Sequence, residues 1–120
     1  VVSDFQQGKK MYGEYLGLKH LKDETVASYG CEIAFYQCGD IMLEIVHPIA
    51  PGPSWNFLKN HGPGIHHICY EVENVDEMLE IAKEKFKTSY DEPDRGAGNT
   101  KIFFLDPRSI GNVETEFTGK

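Results

Sequence analysis

Three side chains in this sequence are best placed to do chemistry: one imidazole, His67, and two carboxylates, Glu44 and Glu116. His67 is the second of an adjacent pair in Gly62-Pro63-Gly64-Ile65-His66-His67-Ile68-Cys69-Tyr70-Glu71-Val72, where a Gly-Pro-Gly turn runs into a β-rich segment. Neutral imidazole is the commonest protein metal ligand, and a short strand rich in Ile, Tyr and Val holds its side chains rigidly. Side chains alternate across a strand. Ile41, Leu43 and Ile45 therefore share one face of the segment Ile41–Val46, and Met42, Glu44 and Val46 the other. By the same alternation Glu116 lies beside Glu114, with Val113, Thr115 and Phe117 opposite. Nitrogen and oxygen donors together suit a first-row divalent ion. Each residue also has a plainer reading: the histidine pair as packing, the carboxylates as a solvated outer face.

The elements that must position these groups follow from pattern. Val1-Val2 reads as the tail of a strand. Ser3 with Gln6 forms a capping-box pattern, and Phe5, Tyr12, Tyr15 and Leu16 fall near a 3.6 period, which predicts a helix near Asp4–Leu16 ended by Gly17. Leu18 to Ala27 reads as an exposed strand. Strands are expected near Cys31–Cys38 and Ile41–Val46, joined by a tight turn at Gly39-Asp40. The proline-rich run His47 to Pro53 cannot be a central strand. Ser54 to Asn60 is expected as a short helix, capped by Ser54 and burying Trp55 and Leu58. A strand near Ile65–Val72 leads to a second helix near Val75–Phe86, capped by Asn74 with Glu77 at the capping-box position; Val75, Met78, Leu79, Ala82 and Phe86 form its apolar stripe. Thr88 to Asp91 resembles a strand, and Asp94 to Asn99 a Gly-rich loop without phosphate-cradle spacing. Strands near Thr100–Leu105 and Val113–Phe117 complete the chain.

Composition narrows the class. The chain has 120 residues and a formal net charge of −7, with Lys and Arg scattered. That argues against nucleic acid and against an anionic membrane surface as partners. No apolar run is long enough to span a bilayer, and no signal-peptide pattern is present. Cys31, Cys38 and Cys69 lack zinc-finger spacing and read as reduced residues of a cytoplasmic protein.

The pattern repeats. Val2-Ser3-Asp4-Phe5 lines up with Val72-Glu73-Asn74-Val75, Phe35 with Phe104, and the strand bearing Glu44 with the strand bearing Glu116. The expectation is a single α+β domain over residues 1–120, built of two βαβββ modules, 1–60 and 61–120. Paired, they would form a curved mixed sheet around a metal-binding cleft, with helices outside. Leu43, Ile45, Ile68, Tyr70 and Val72 would meet the helices, and Glu44, His67 and Glu116 would face inward. The first module's counterpart of His67 falls upstream of Val1, so the first strand reads as truncated at its N-terminal end.

This arrangement resembles the vicinal oxygen chelate superfamily, the glyoxalase and bleomycin-resistance fold, over nearly the whole chain. Within it, Gly62-Pro63-Gly64-Ile65-His66-His67-Ile68, Phe57-Leu58-Lys59-Asn60-His61-Gly62 and Leu105-Asp106-Pro107-Arg108-Ser109-Ile110-Gly111-Asn112-Val113 are similar to the methylmalonyl-CoA epimerases. The resemblance implies metal ligands at Glu44, in Met42-Leu43-Glu44-Ile45, at His67, and at Glu116, in Glu114-Thr115-Glu116-Phe117. It implies a divalent ion (Ni, Co, Mn, Fe or Zn), with Glu116 and Glu44 as the catalytic carboxylates and Glu116 the better base. The epimerases' second base, in a Glu-x-Gly context, is replaced here by Ser28 in Ser28-Tyr29-Gly30. The implied activity is metal-dependent proton abstraction next to a carbonyl, on a small-molecule acyl-CoA thioester. The alternatives are a lactoylglutathione lyase of the glyoxalase I type, acting on a glutathione adduct, and a metal-free binding protein of the bleomycin-resistance type. A homodimer is expected.

Overall fold

The structure, a computed structural model, describes residues 1–120. It is an α+β fold of three α-helices and two sheets, with no closed barrel. No helix is long and apolar enough to cross a membrane. The chain divides into two compact units, Val1–His66 and His67–Lys120.

In the first unit, α1 (Phe5–Lys9) runs on as a π-helix over Lys10–Tyr15. Three antiparallel strands follow, β1 (Lys19–Val26), β2 (Cys31–Cys38) and β3 (Ile41–Pro48), and then α2 (Pro53–His61). The helix expected as one α-segment changes pitch where Gly13 faces Tyr36. A Cβ there would stand 3.0 Å from the Tyr36 ring, so the missing side chain is what lets the ring pack. The cap falls on Asp4 rather than Ser3: Gln7 N–H donates to Asp4 Oδ1 at 2.9 Å. At α2 the cap is Gly52 followed by Pro53, which leaves Ser54 inside the helix. Proline suits the first helical turn because its absent N–H would have no partner there. Trp55, expected in the core, is 43% exposed. Val2 N–H donates to the Val46 carbonyl at 2.9 Å, so the leading residues run beside β3.

In the second unit, β4 (Ile68–Val72) leads into α3 (Val75–Lys85), and β5 (Asp94–Arg95), β6 (Lys101–Phe104) and β7 (Thr115–Gly119) follow. The strand order is β4-β7-β6-β5, with β4 parallel to β7 and the remaining pairs antiparallel. The first unit has the same order if Val1-Val2 is counted as its leading segment: leading segment, β3, β2, β1. Corresponding residues take corresponding register positions. Phe35 stands opposite Glu44, and Phe104 opposite Glu116.

Several boundaries move for identifiable reasons. β4 starts at Ile68, not Ile65, because Pro63 lacks an N–H and Gly64 N–H donates to Val1 O instead. Thr88 to Asp91 is a bend rather than a strand: Thr88 Oγ1 donates to Phe104 O at 2.7 Å and accepts from Tyr90 N–H at 3.2 Å. Asp94 and Arg95, expected as loop, pair with Ile102 and Lys101. The last strand starts at Thr115, because Gly111 and Asn112 are both left-handed, with φ of 67° and 63°, and prolong the turn.

Each unit has its own core on the helix side of its sheet. Ala34, Tyr36 and Ile45 pack with Val2, Phe5, Tyr12, Leu18 and Leu43. Val75, Leu79 and Ala82 of α3 pack on Phe103, Leu105 and Phe117, and Phe103 stacks on Phe117 at 5.0 Å. Val72 joins that core, whereas Ile68 and Tyr70, expected to meet the helices, stay 49% and 52% exposed.

Candidate metal centre

The geometry of the second unit begins with the parallel register of β4 on β7. Ile68 N–H donates to Glu114 O at 3.1 Å, and Ile68 pairs with Thr115. This sets His67, one residue ahead of the strand, beside β7. There His67 Nε2 lies 2.7 Å from Glu116 Oε2. Both side chains are largely shielded, at 19% and 14% exposure. The His67 ring also stands edge-on to Phe104 at 5.3 Å, and Phe104 is the residue paired with Glu116 across β6 and β7. Phe103 and Phe117 face α3, so alternation puts Phe104 and Glu116 on the other face of the sheet. His66 goes elsewhere: its ring stands edge-on to Phe57 of α2 at 4.8 Å, and His61 stacks on the same Phe57.

A groove opens next to this pair, lined by Tyr90, Phe104, Glu114, Lys87 and Arg108 among others. Burial pushes the Glu114 carboxyl up, against a lowering pull from His67 and with a further push from Asp106. Burial also pushes the Tyr90 phenol up, reinforced by Asp94, Glu116 and Glu114. At the rim, the Arg108 guanidinium and backbone N–H hold Asp106 down to about 2.

In the first unit Glu44 projects from β3 opposite Phe35, half-buried, on the face away from α1. Ile33 with Val46 and Cys31 with Pro48 continue that face. The Cys31 thiol is pushed up to about 11 by burial, with Glu44 adding to the shift. A second imidazole–carboxylate pair, His47 Nδ1 and Glu32 Oε1 at 2.9 Å, lies on the opposite, helix-covered face, where Phe5 stacks on His47. Its chemistry is the same but its surroundings make it a packing pair. Ser28 lies exposed in the 3₁₀ turn Ala27–Tyr29. Pattern reading passed over Lys22 and Glu24, which share the face of Glu44. A β-bulge at Leu21 puts them there, and no local residue pattern announces it.

Of the three residues singled out from the sequence, His67 and Glu116 are brought together within the second unit, and Glu44 belongs to the first. No group of three or more His, Cys, Asp or Glu side chains is gathered as a metal-holding cluster. The donor chemistry of the pair nevertheless fits a divalent ion.

Comparison with known proteins places this geometry. A model of the Glyoxalase/Bleomycin resistance protein/Dioxygenase superfamily matches residues 1–104. The uncharacterized protein YqjC of Bacillus subtilis (strain 168) is 32% identical over 117 residues, 96% of this chain and 84% of that protein. The mitochondrial methylmalonyl-CoA epimerase of Mus musculus is 30% identical over 118 residues, 96% of this chain and 66% of that protein. Among solved structures, a hypothetical protein from Bacillus halodurans C-125 matches with a TM-score of 0.92 and 33% identity, covering 99% of this chain and 88% of that one. Methylmalonyl-CoA epimerase of Streptomyces coelicolor in complex with 2-nitronate-propionyl-CoA shares the fold, with a TM-score of 0.90 at 24% identity, covering 99% and 91%. A family model that spans most of the chain, with relatives 30% and 32% identical over 96% of it, shows that the chain belongs to the glyoxalase/bleomycin resistance protein/dioxygenase superfamily.

Proposed function

We propose that the protein is a divalent-metal-dependent isomerase that removes a proton from the carbon next to a thioester carbonyl, epimerising a malonyl-type acyl-CoA. The observation that carries this reading is the shielded His67–Glu116 pair, 2.7 Å apart on the sheet face away from α3. The relatives named methylmalonyl-CoA epimerase support the substrate class.

In this reading His67 and Glu116 would hold the ion; the resemblance also implies as a ligand Glu44, which by register is the counterpart of Glu116 in the first unit. Glu44 is also the second catalytic carboxylate implied by the resemblance. A bound Ni, Co, Mn, Fe or Zn ion would supply Lewis-acid polarisation of the carbonyl. The remaining work belongs to the chain. Glu116 is the carboxylate proposed to accept the proton. His67 is braced by the edge of Phe104. The same reading expects a homodimer in solution, to be checked by light scattering, in a cytoplasmic enzyme.

The direct test is solvent deuterium exchange and epimerisation of methylmalonyl-CoA by the metal-loaded protein, with Glu116→Gln alongside. Glu116→Gln keeps the shape and removes the base, so turnover is expected to fall by about 10²–10⁴-fold. Wild-type turnover in that variant would refute the role of Glu116. Lactoylglutathione formation without any malonyl-thioester turnover would replace the epimerase reading with a lyase.

A further inference from the structure

The backbone bend over residues 88–91 makes Tyr90 a wall of the groove that opens beside His67 and Glu116. Every residue of this arrangement lies within the second unit, His67–Lys120. The Thr88 hydroxyl is the bracket: it donates to Phe104 O at 2.7 Å and accepts from Tyr90 N–H at 3.2 Å, which ties Tyr90 to β6. The Tyr90 ring is half-buried and packs against Phe103, with 6.5 Å between the ring centroids. Burial pushes its phenol up, and Asp94, Glu116 and Glu114 push in the same direction, so it stays a neutral O–H at neutral pH. A neutral phenol donates a hydrogen bond, whereas ionised carboxylates only accept. The other donors of the groove are spent or solvated. The Thr88 hydroxyl is taken by Phe104 O, and Lys87 and Ser89 are exposed. Arg108, 84% exposed, is turned onto Asp106, with Nε 3.1 Å from Oδ1 and Nη2 2.8 Å from Oδ2.

Taking a proton from the carbon next to a carbonyl moves an electron pair toward the carbonyl oxygen, which becomes the negative oxygen of an enolate. In this groove that charge develops near the Glu114 and Glu116 carboxylates, whose like charge opposes it. A donor already fixed where the charge appears offsets the repulsion and needs no reorganisation during the reaction. We propose that the Tyr90 phenol is that donor: its O–H bonds to the thioester oxygen of the substrate, and the bond strengthens as the enolate forms. This inference rests on the epimerase reading and adds one catalytic residue to it. The phenol keeps its proton throughout. The substrate C–H bond breaks, its electron pair passes into the enolate, and the proton goes to the base, so no oxidant or further reactant enters. Thr88 is a positioning residue, acting through the Tyr90 backbone.

The test is Tyr90→Phe in the full, metal-loaded chain, a change that keeps the ring against Phe103 and removes one oxygen. The kcat for epimerisation of methylmalonyl-CoA and the rate of α-proton exchange with D₂O are each expected to fall by about 100-fold, the loss typical of one missing oxyanion donor. Metal per chain is expected to stay at the wild-type level. A binding readout separates this role from a structural one. 2-Nitronate-propionyl-CoA, the ligand in the Streptomyces coelicolor epimerase complex, is a planar anion conjugated with its thioester carbonyl, so part of its charge sits on the thioester oxygen as in the enolate. Propionyl-CoA is neutral there. Tyr90→Phe should weaken the nitronate by about 10-fold or more and propionyl-CoA by less than about threefold. Equal weakening of the two ligands, or wild-type kcat and nitronate affinity in the variant, removes Tyr90 and leaves the epimerase reading standing. A wild-type chain that neither exchanges nor epimerises a malonyl thioester overturns the epimerase reading and this inference with it.

Discussion

His67→Ala separates the structural worth of the His67–Glu116 pair from its chemical role. Removing one partner of a fully buried ion pair costs about 3–5 kcal/mol, because the other charge is left uncompensated. Here the two side chains keep 19% and 14% exposure, so water reaches Glu116 and the expected cost of the broken pair falls to about 2 kcal/mol. Loss of the edge-on contact with Phe104 at 5.3 Å adds about 1 kcal/mol. The metal-free variant should thus unfold in urea about 3 kcal/mol earlier than wild type, and most of a typical stability of about 5–15 kcal/mol survives, so it folds. Metal per chain after loading and dialysis, read by elemental mass spectrometry, should drop to background, and turnover by about 100-fold or more. Unchanged metal content together with unchanged turnover would refute the metal reading. An unchanged urea midpoint would show that the 2.7 Å pair does not hold in solution.

Other expectations follow from the same geometry. Asp106 is depressed from 3.8 to about 2, chiefly by the Arg108 side chain. Its contribution to stability is therefore fully present above pH about 4 and is lost as pH falls through about 2. Carbon-detected NMR titration should show that low midpoint in wild type and a rise toward the ordinary value in Arg108→Ala. The Cys31 thiol is pushed up to about 11 and is buried, while Cys38 is exposed. Alkylation at neutral pH, followed by mass spectrometry, should modify Cys38 first and Cys31 at least about 100-fold more slowly. Gly30 has φ +63°, and a Cβ there would stand 2.6 Å from Ala50 O. Gly30→Ala should cost about 3 kcal/mol in urea unfolding, whereas Gly17→Ala, at φ +72° with nothing within 4 Å, should cost only about 1. Equal losses at the two sites would refute the close approach of Gly30 to the Ala50 carbonyl.

The elements that could be read from the sequence are those governed by local periodicity. β2 falls on Cys31–Cys38 as its alternation and bounding Gly30 and Gly39 suggest. The α3 stripe of Val75, Leu79 and Ala82 is the buried face of that helix, and the Asn74 side chain caps it at Glu77 N–H. Alternation also puts Glu44 on the face away from Leu43 and Ile45, because period two is a property of any strand. The repeat, visible in matched residues, is what made register equivalence between Phe35–Glu44 and Phe104–Glu116 expectable.

Tertiary structure decided the rest, where the deciding contact is made far along the chain. Thr88–Asp91 has strand-like residues, but the Phe104 carbonyl, sixteen residues away, takes the Thr88 hydroxyl and turns the backbone. The change to π-helix depends on the Tyr36 ring facing Gly13. Which histidine of the pair reaches Glu116 depends on the parallel register of β4 on β7, set by backbone hydrogen bonds that no nearby residue encodes. The bulge at Leu21 is the sharpest case. Residue types in Lys19-His20-Leu21-Lys22-Asp23-Glu24 alternate no differently with or without it. Only the pairing against β2 determines whether Glu24 lies on the face of Tyr36 or on that of Glu44, because a shift of one residue moves every later side chain to the other side of the sheet.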